Sequence, residues 1–82
     1  MIDILFFGRV AIIMRKRSLK LALKDELKTL FAVRHTLLEE YCAASQVDIK
    51  AIQMSVNQVV VRNDVILSDG DEVAFFSVFS GG

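Results

Sequence analysis

Leu67-Ser68-Asp69-Gly70-Asp71-Glu72-Val73-Ala74-Phe75-Phe76 is the stretch that decides the fold. Ser68-Asp69-Gly70-Asp71 is a strong turn signal: short polar side chains bond their own backbone, and glycine reaches angles closed to other residues. The apolar run after it, Glu72 to Phe79, reads as a strand. Upstream, Val59 to Val61 and Ile52 to Val56 read as two more, separated by Asn57-Gln58 and followed by the loop Arg62-Asn63-Asp64. From Thr29 the apolar period changes from two to the helical one. Leu30, Val33, Leu37 and Tyr41 form one stripe and Phe31, His35, Leu38 and Cys42 a second, so the main helix runs from Thr29 to about Ala44-Ser45. Thr29 can cap it, with Asp25 and Glu26 just upstream of its positive end.

Ahead of the helix, Ser18 to Leu23 alternates, with Leu19, Leu21 and Leu23 on one face, and predicts a half-exposed strand. Ile2 to Val10 predicts a first strand. Ile2, Ile4 and Phe6 share one face and Asp3, Leu5 and Phe7 the other, so burial on both sides is expected. Ala11 to Arg17 is then a turn or hairpin loop joining the two. The order strand, strand, helix, strand, strand, strand gives an α+β roll: a mixed sheet of about five strands with one main helix across one face.

The chain has 82 residues, enough for one core. At 54% hydrophobic and 24% charged residues it is a packed domain rather than a disordered segment. Ten basic and ten acidic residues cancel, which gives no general attraction to nucleic acid or to anionic membranes. Cys42 is the single cysteine, so no intrachain disulfide or cysteine metal cluster forms. With no basic leader and no apolar run near the ~20 residues of a membrane span, a cytoplasmic protein is expected.

The element order, the length and the ending Gly81-Gly82 resemble the ubiquitin-like β-grasp sulfur carriers, and specifically the molybdopterin synthase small-subunit family. Ile4-Leu5-Phe6-Phe7-Gly8 is similar to that family's opening strand, and Thr29-Leu30-Phe31-Ala32-Val33-Arg34 to its helix start. Ser55-Val56-Asn57-Gln58 resembles its Val-Asn hairpin. Leu67 to Phe76, with Gly82 six residues beyond Phe76, is the most specific part. Two positions depart from the family pattern. Ser77-Val78 stands where a Pro-Pro pair is common, and Ala11-Ile12 where an Arg-Glu pair is frequent.

The resemblance implies a β-grasp domain over 1–78 and a flexible tail over 79–82. It implies that Gly82 is the chemical site. Its carboxylate attacks the α-phosphate of ATP on an adenylating, E1-like enzyme, and sulfur from a donor system displaces AMP. The resulting thiocarboxylate gives sulfur to a pterin precursor to form the molybdopterin dithiolene. ATP is then a co-substrate of the partner and no cofactor is held permanently. The small subunit itself is non-catalytic, and the large subunit of molybdopterin synthase, as a heterotetramer, supplies the active-site groups. Gly81 and Ser80 form the tail, and Phe75, Phe79 and Phe7 the partner-docking surface, because successive strand residues such as Phe75, Phe76, Val78 and Phe79 cannot all enter one core. Sulfur transfer for thiamine thiazole synthesis or tRNA thiolation remains open, as do a protein modifier joined to lysines through Gly82 and a binding-only module.

Other residues have plainer readings. His35 lies on a helical stripe as a structural residue or a switch. Cys42 is a packing residue rather than a sulfur donor. Asp69, Asp71 and Glu72 fit a solvated turn better than a cation site. Arg15-Lys16-Arg17 is a solvated loop tip, or a group that steers an acidic partner surface.

Overall fold

A computed structural model describes residues 1–77. Five strands form one mixed sheet: β1 (Ile2–Phe6), β2 (Ser18–Leu21), β3 (Gln53–Val56), β4 (Val59–Val61) and β5 (Glu72–Phe76). Their spatial order is β2-β1-β5-β3-β4. β5, last in sequence, occupies the centre. It runs parallel to β1, with Phe6 beside Phe75, and antiparallel to β3, with Gln53 beside Phe76. Two helices, α1 (Gly8–Met14) and α2 (Leu30–Ala44), complete the roll, with short 3-10 turns at Asp25–Leu27 and Ile49–Ala51. Among the described residues no helix is long and apolar enough to cross a membrane.

The core lies between one sheet face and the two helices. Ile2, Ile4 and Phe6 of β1 and Val73 and Phe75 of β5 meet Leu30, Val33, Leu38 and Cys42 of α2, and Val10 and Met14 of α1. The period-two strand pattern and the helical period of α2 therefore bury into the same volume. Thr29 caps α2 as expected, its Oγ1 accepting the Ala32 N–H at 3.2 Å. Asp64, remote in sequence, accepts the Phe31 N–H at 2.8 Å, so two donors left free by the first turn of α2 are satisfied by side chains.

The Ser68–Asp71 turn is built as its residues dictate. Gly70 takes φ +88°, and Asp71 accepts from the Ser68 N–H at 2.7 Å and from Asn57 Nδ2 at 3.0 Å. Asn57 Oδ1 in turn accepts the Glu72 N–H at 3.0 Å, which ties the β3–β4 turn to the start of β5. Asp69 accepts from the Met1 ammonium. That bond, and the charge of the ammonium, hold its carboxyl below the usual aspartate range.

Several expectations are corrected. The first strand ends at Phe6, not Val10, and Ala11 to Arg17 is not simply a hairpin loop, because residues 8–14 form α1. Gly8 enters the helix at φ +57°, where a side chain is strained, and Arg15 leaves it in the left-handed region with its N–H bonded to the Ile12 carbonyl. β1 and β2 do pair antiparallel, Ile2 opposite Leu21 through Leu5 opposite Ser18, but across a helical connection. Nor is β1 buried on both sides: Asp3 is exposed and Leu5 half-buried. Tyr41 is exposed as well, since the buried stripe of α2 passes through Leu38 and Cys42 instead. β2 ends at Leu21 rather than Leu23 and β3 starts at Gln53 rather than Ile52, while the end expected for β5 at Phe79 lies outside the described residues.

Candidate functional site

The sheet face opposite the helices is open. Strand alternation puts Asp3, Leu5 and, one residue past β1, Phe7 on this face, because Ile2, Ile4 and Phe6 point into the core. Register continues the face across the sheet: Leu5 lies beside Ala74, Ala74 opposite Ser55, and Ser55 opposite Val60. The two central positions carry the small residues Ala74 and Ser55, both buried by their neighbours, so the surface is smooth there. Apolar side chains rise at its margins: Phe7 is 51% exposed and Val60 55%, and Phe76 is half-buried. At the far end of the same face Asp3 lies beside Glu72, so its apolar side chains gather toward the end where β5 stops.

This face adjoins the place where β5 stops. The Phe7 N–H donates to the Phe75 carbonyl at 3.0 Å, and Gln53 pairs with Phe76 on the other side. The chain at Ser77 thus leaves the middle of the sheet, held between β1 and β3. A groove of about 800 Å³ opens beside it, lined by Phe7, Ile12 and Arg15 to Arg17 among others.

The expected docking residues fare differently. Phe7 is exposed. Phe75 is not on the surface: it is fully buried and stacks on Phe6, ring centroids 6.2 Å apart and planes 19° from parallel. Parallel pairing with Phe6 is the reason, since Phe6 belongs to the stripe that faces the helices. Phe76 takes the open-face position instead. Phe79, Ser80, Gly81 and Gly82, with the boundary expected after residue 78, lie outside the described residues.

The remaining candidates are engaged elsewhere. His35 Nε2 lies 2.9 Å from Glu39 one helical turn on, exposed on the outer side of α2. Cys42 is buried, and loss of solvation, with the Asp48 carboxylate second, pushes its thiol up from the ordinary value. Asp69 and Asp71 are held in the turn described above. Among the described residues no three His, Cys, Asp or Glu side chains gather as a metal site. Sequence reasoning passed over Arg34, Lys50 and Arg62, which line one recess with Gln53 although they lie far apart in the chain. No spacing links them; they come together where α2 and the Ile49–Ala51 turn pack beside β3 and the end of β4.

A family profile, the ThiS family, matches residues 4–82. No curated protein sequence matches the chain. Two solved structures are similar in fold. The crystal structure of SAMP1 from Haloferax volcanii superposes with a TM-score of 0.76 at 17% identity, covering 99% of this chain and 98% of that one. The solution structure of small archaeal modifier protein 1 from Methanosarcina acetivorans gives a TM-score of 0.72 at 18% identity, covering 99% and 95%.

Proposed function

This chain belongs to the ThiS family, with the ubiquitin-like β-grasp fold of its sulfur carriers, and from that premise we propose that it carries sulfur on Gly82. The observation that carries this reading is the extent of the family match, which runs to residue 82 and so includes Gly81-Gly82 as well as the folded domain.

The chemistry follows from the terminus. One oxygen of the Gly82 carboxylate attacks the α-phosphorus of ATP in the adenylating partner, and pyrophosphate leaves. A sulfur nucleophile from the donor system adds to the acyl carbon and AMP leaves, which produces a thiocarboxylate. Sulfur is more polarizable than oxygen and more weakly hydrated, so this group attacks an electrophilic carbon readily. Hydrolysis of the acyl bond then restores the carboxylate. Glycine suits the role because a residue without Cβ passes a narrow channel and accepts backbone angles that others do not. The central place of β5 supports it, since a tail leaving between β1 and β3 emerges from the most firmly paired part of the sheet. Five residues beyond Ser77 span at most about 17 Å, so the docking surface must sit close to the partner's active site. Phe7 and the open face beside it meet that requirement.

The acceptor we propose is a pterin precursor, two deliveries building the molybdopterin dithiolene on the large subunit of molybdopterin synthase. The Leu67–Phe76 pattern with Gly82 six residues on supports it. A second reading, a protein modifier joined to lysines through Gly82, is favoured by the likeness in fold to an archaeal protein described as a modifier. Pyrophosphate release by the adenylating enzyme tests the shared step. Wild-type chain should stimulate it, and a chain lengthened by one residue after Gly82 should not; equal stimulation by both would refute the terminal site. A search for lysine adducts in cells then separates the readings, because a dedicated carrier leaves few.

A further inference from the structure

Charge on this neutral chain is sorted by position along the sheet. At the end where β1 and β5 begin stand Asp3, Asp69, Asp71 and Glu72, tied together by the Asp3–Glu72 register and by the Met1–Asp69 pair. At the opposite end, where β5 stops, two recesses flank the exit and both are lined by cations. Arg15, Lys16 and Arg17 line the groove on the β1 side, next to Phe7 and Ile12. Arg34, Lys50 and Arg62 line the recess on the β3 side, with Gln53, the register partner of Phe76. Six of the ten basic residues therefore ring the end of the sheet from which the tail departs.

These cations are not consumed within the fold. None of the six forms an ion pair among the described residues, whereas Lys20 and Lys28 pair with Asp3 and Asp25. The acids nearest in sequence are already engaged: Asp48 accepts the Lys50 N–H and Asp64 the Phe31 N–H. Arg34 lies over the Phe31 ring, 4.3 Å from its centroid, and its shielded Nε–H has no acceptor. On the β1 side the cations share the surface with apolar groups, Phe7 half-exposed and Ile12 75% exposed, while the recess on the β3 side is mainly polar. A basic surface with apolar groups on one flank complements an acidic surface with an apolar margin.

We infer that this basic collar is the docking surface for an acidic rim around the tail-accepting channel of the adenylating enzyme. The occupant is a protein surface, because the cations are split between two recesses on either side of the exit and share the surface with Phe7 and Ile12. Like charges sorted to one end also orient the approaching carrier, so the tail faces the channel at first encounter and association is accelerated by roughly 10-fold to 1,000-fold. The inference rests on the carrier reading only for the identity of the partner.

Two charge-reversed chains test it, R15E/K16E/R17E on one side and K50E/R62E on the other, against K20E/K24E, which changes charge equally to K50E/R62E but away from the collar. All reversed positions are exposed, and circular dichroism checks that each chain is folded. Two quantities are read with the cell's own adenylating enzyme: binding of labelled carrier by anisotropy without ATP, and the carrier concentration giving half-maximal loading. Both collar variants should weaken each by about tenfold or more at low salt, with the gap closing near 1 M salt, where the screening length falls to about 3 Å. K20E/K24E should change them by less than about twofold. Collar variants no worse than this control would overturn the inference. Tight binding of ATP by the carrier alone, lost in the collar variants, would also overturn it by making the collar a nucleotide site. Wild type that binds the enzyme but is never loaded would refute the carrier reading and leave the collar standing.

Discussion

Phe75→Ala separates a core residue from a docking residue at the position where the two accounts of this chain diverge. Phe75 is fully buried and stacked on Phe6. Burying a phenylalanine removes roughly 150 Å² or more of apolar surface, which at about 25 cal/mol/Å² is ~4 kcal/mol, with alanine returning a small part. The lost ring contact adds ~0.5–1.5 kcal/mol, so the expected cost is ~3–5 kcal/mol, the usual range for truncating a core aromatic. A domain of 82 residues holds only ~4–12 kcal/mol in total, so the variant should lose at least about a quarter of its stability, and all of it at the low end of that range. Urea titration followed by circular dichroism measures this, and at ~1 kcal/mol/M the midpoint should fall by ~3–5 M or vanish. Phe7→Ala is the companion, since its half-exposed ring should cost under about 1 kcal/mol while weakening partner binding. The reasoning fails if Phe75→Ala stays within ~1 kcal/mol of wild type and loses only tail loading, because that would place its ring on the open face.

Other expectations concern the frame that holds the exit strand. Thr29→Ala removes the cap of α2 and should cost about 1 kcal/mol by thermal or urea unfolding, and Asp64→Ala should cost a similar amount by freeing the Phe31 N–H. No change for either would mean that water replaces both acceptors. Cys42 should react slowly with iodoacetamide in the folded protein and quickly in urea, because burial favours its neutral thiol. Its folded value is raised, so above about pH 8.5 the unfolded chain releases a proton that the folded chain keeps, and stability should fall as pH rises. Cys42→Ala should flatten that alkaline decline in the urea midpoint; an identical slope would show that other groups cause it.

Much of this fold is legible residue by residue, and the failures share one physical origin. The Ser68–Asp71 turn, the Thr29 cap and the helical period from Leu30 are local signals, and each appears in place. The helix α1 is missed because Val10-Ala11-Ile12-Ile13-Met14 is continuously apolar and only a few residues long, a length at which strand and helix cannot be told apart. Phe75 is misplaced because assigning faces to Val73-Ala74-Phe75-Phe76 requires the register against β1, which is a non-local fact. A usable signal existed: in a parallel pair the stripe Ile4, Phe6 aligns with Val73, Phe75, so the core side of one strand fixes the core side of the other. The Arg34, Lys50 and Arg62 recess lay beyond such reasoning, since it assembles from a helix, a connection and the end of an edge strand.

Intact-mass measurement of the purified chain after incubation with ATP, a sulfur source and its adenylating enzyme tests the central claim most directly. A gain of about 16 Da, one oxygen exchanged for sulfur, mapped by fragmentation to Gly82, is the predicted result. Unchanged mass under conditions that load an established carrier in parallel would contradict the account.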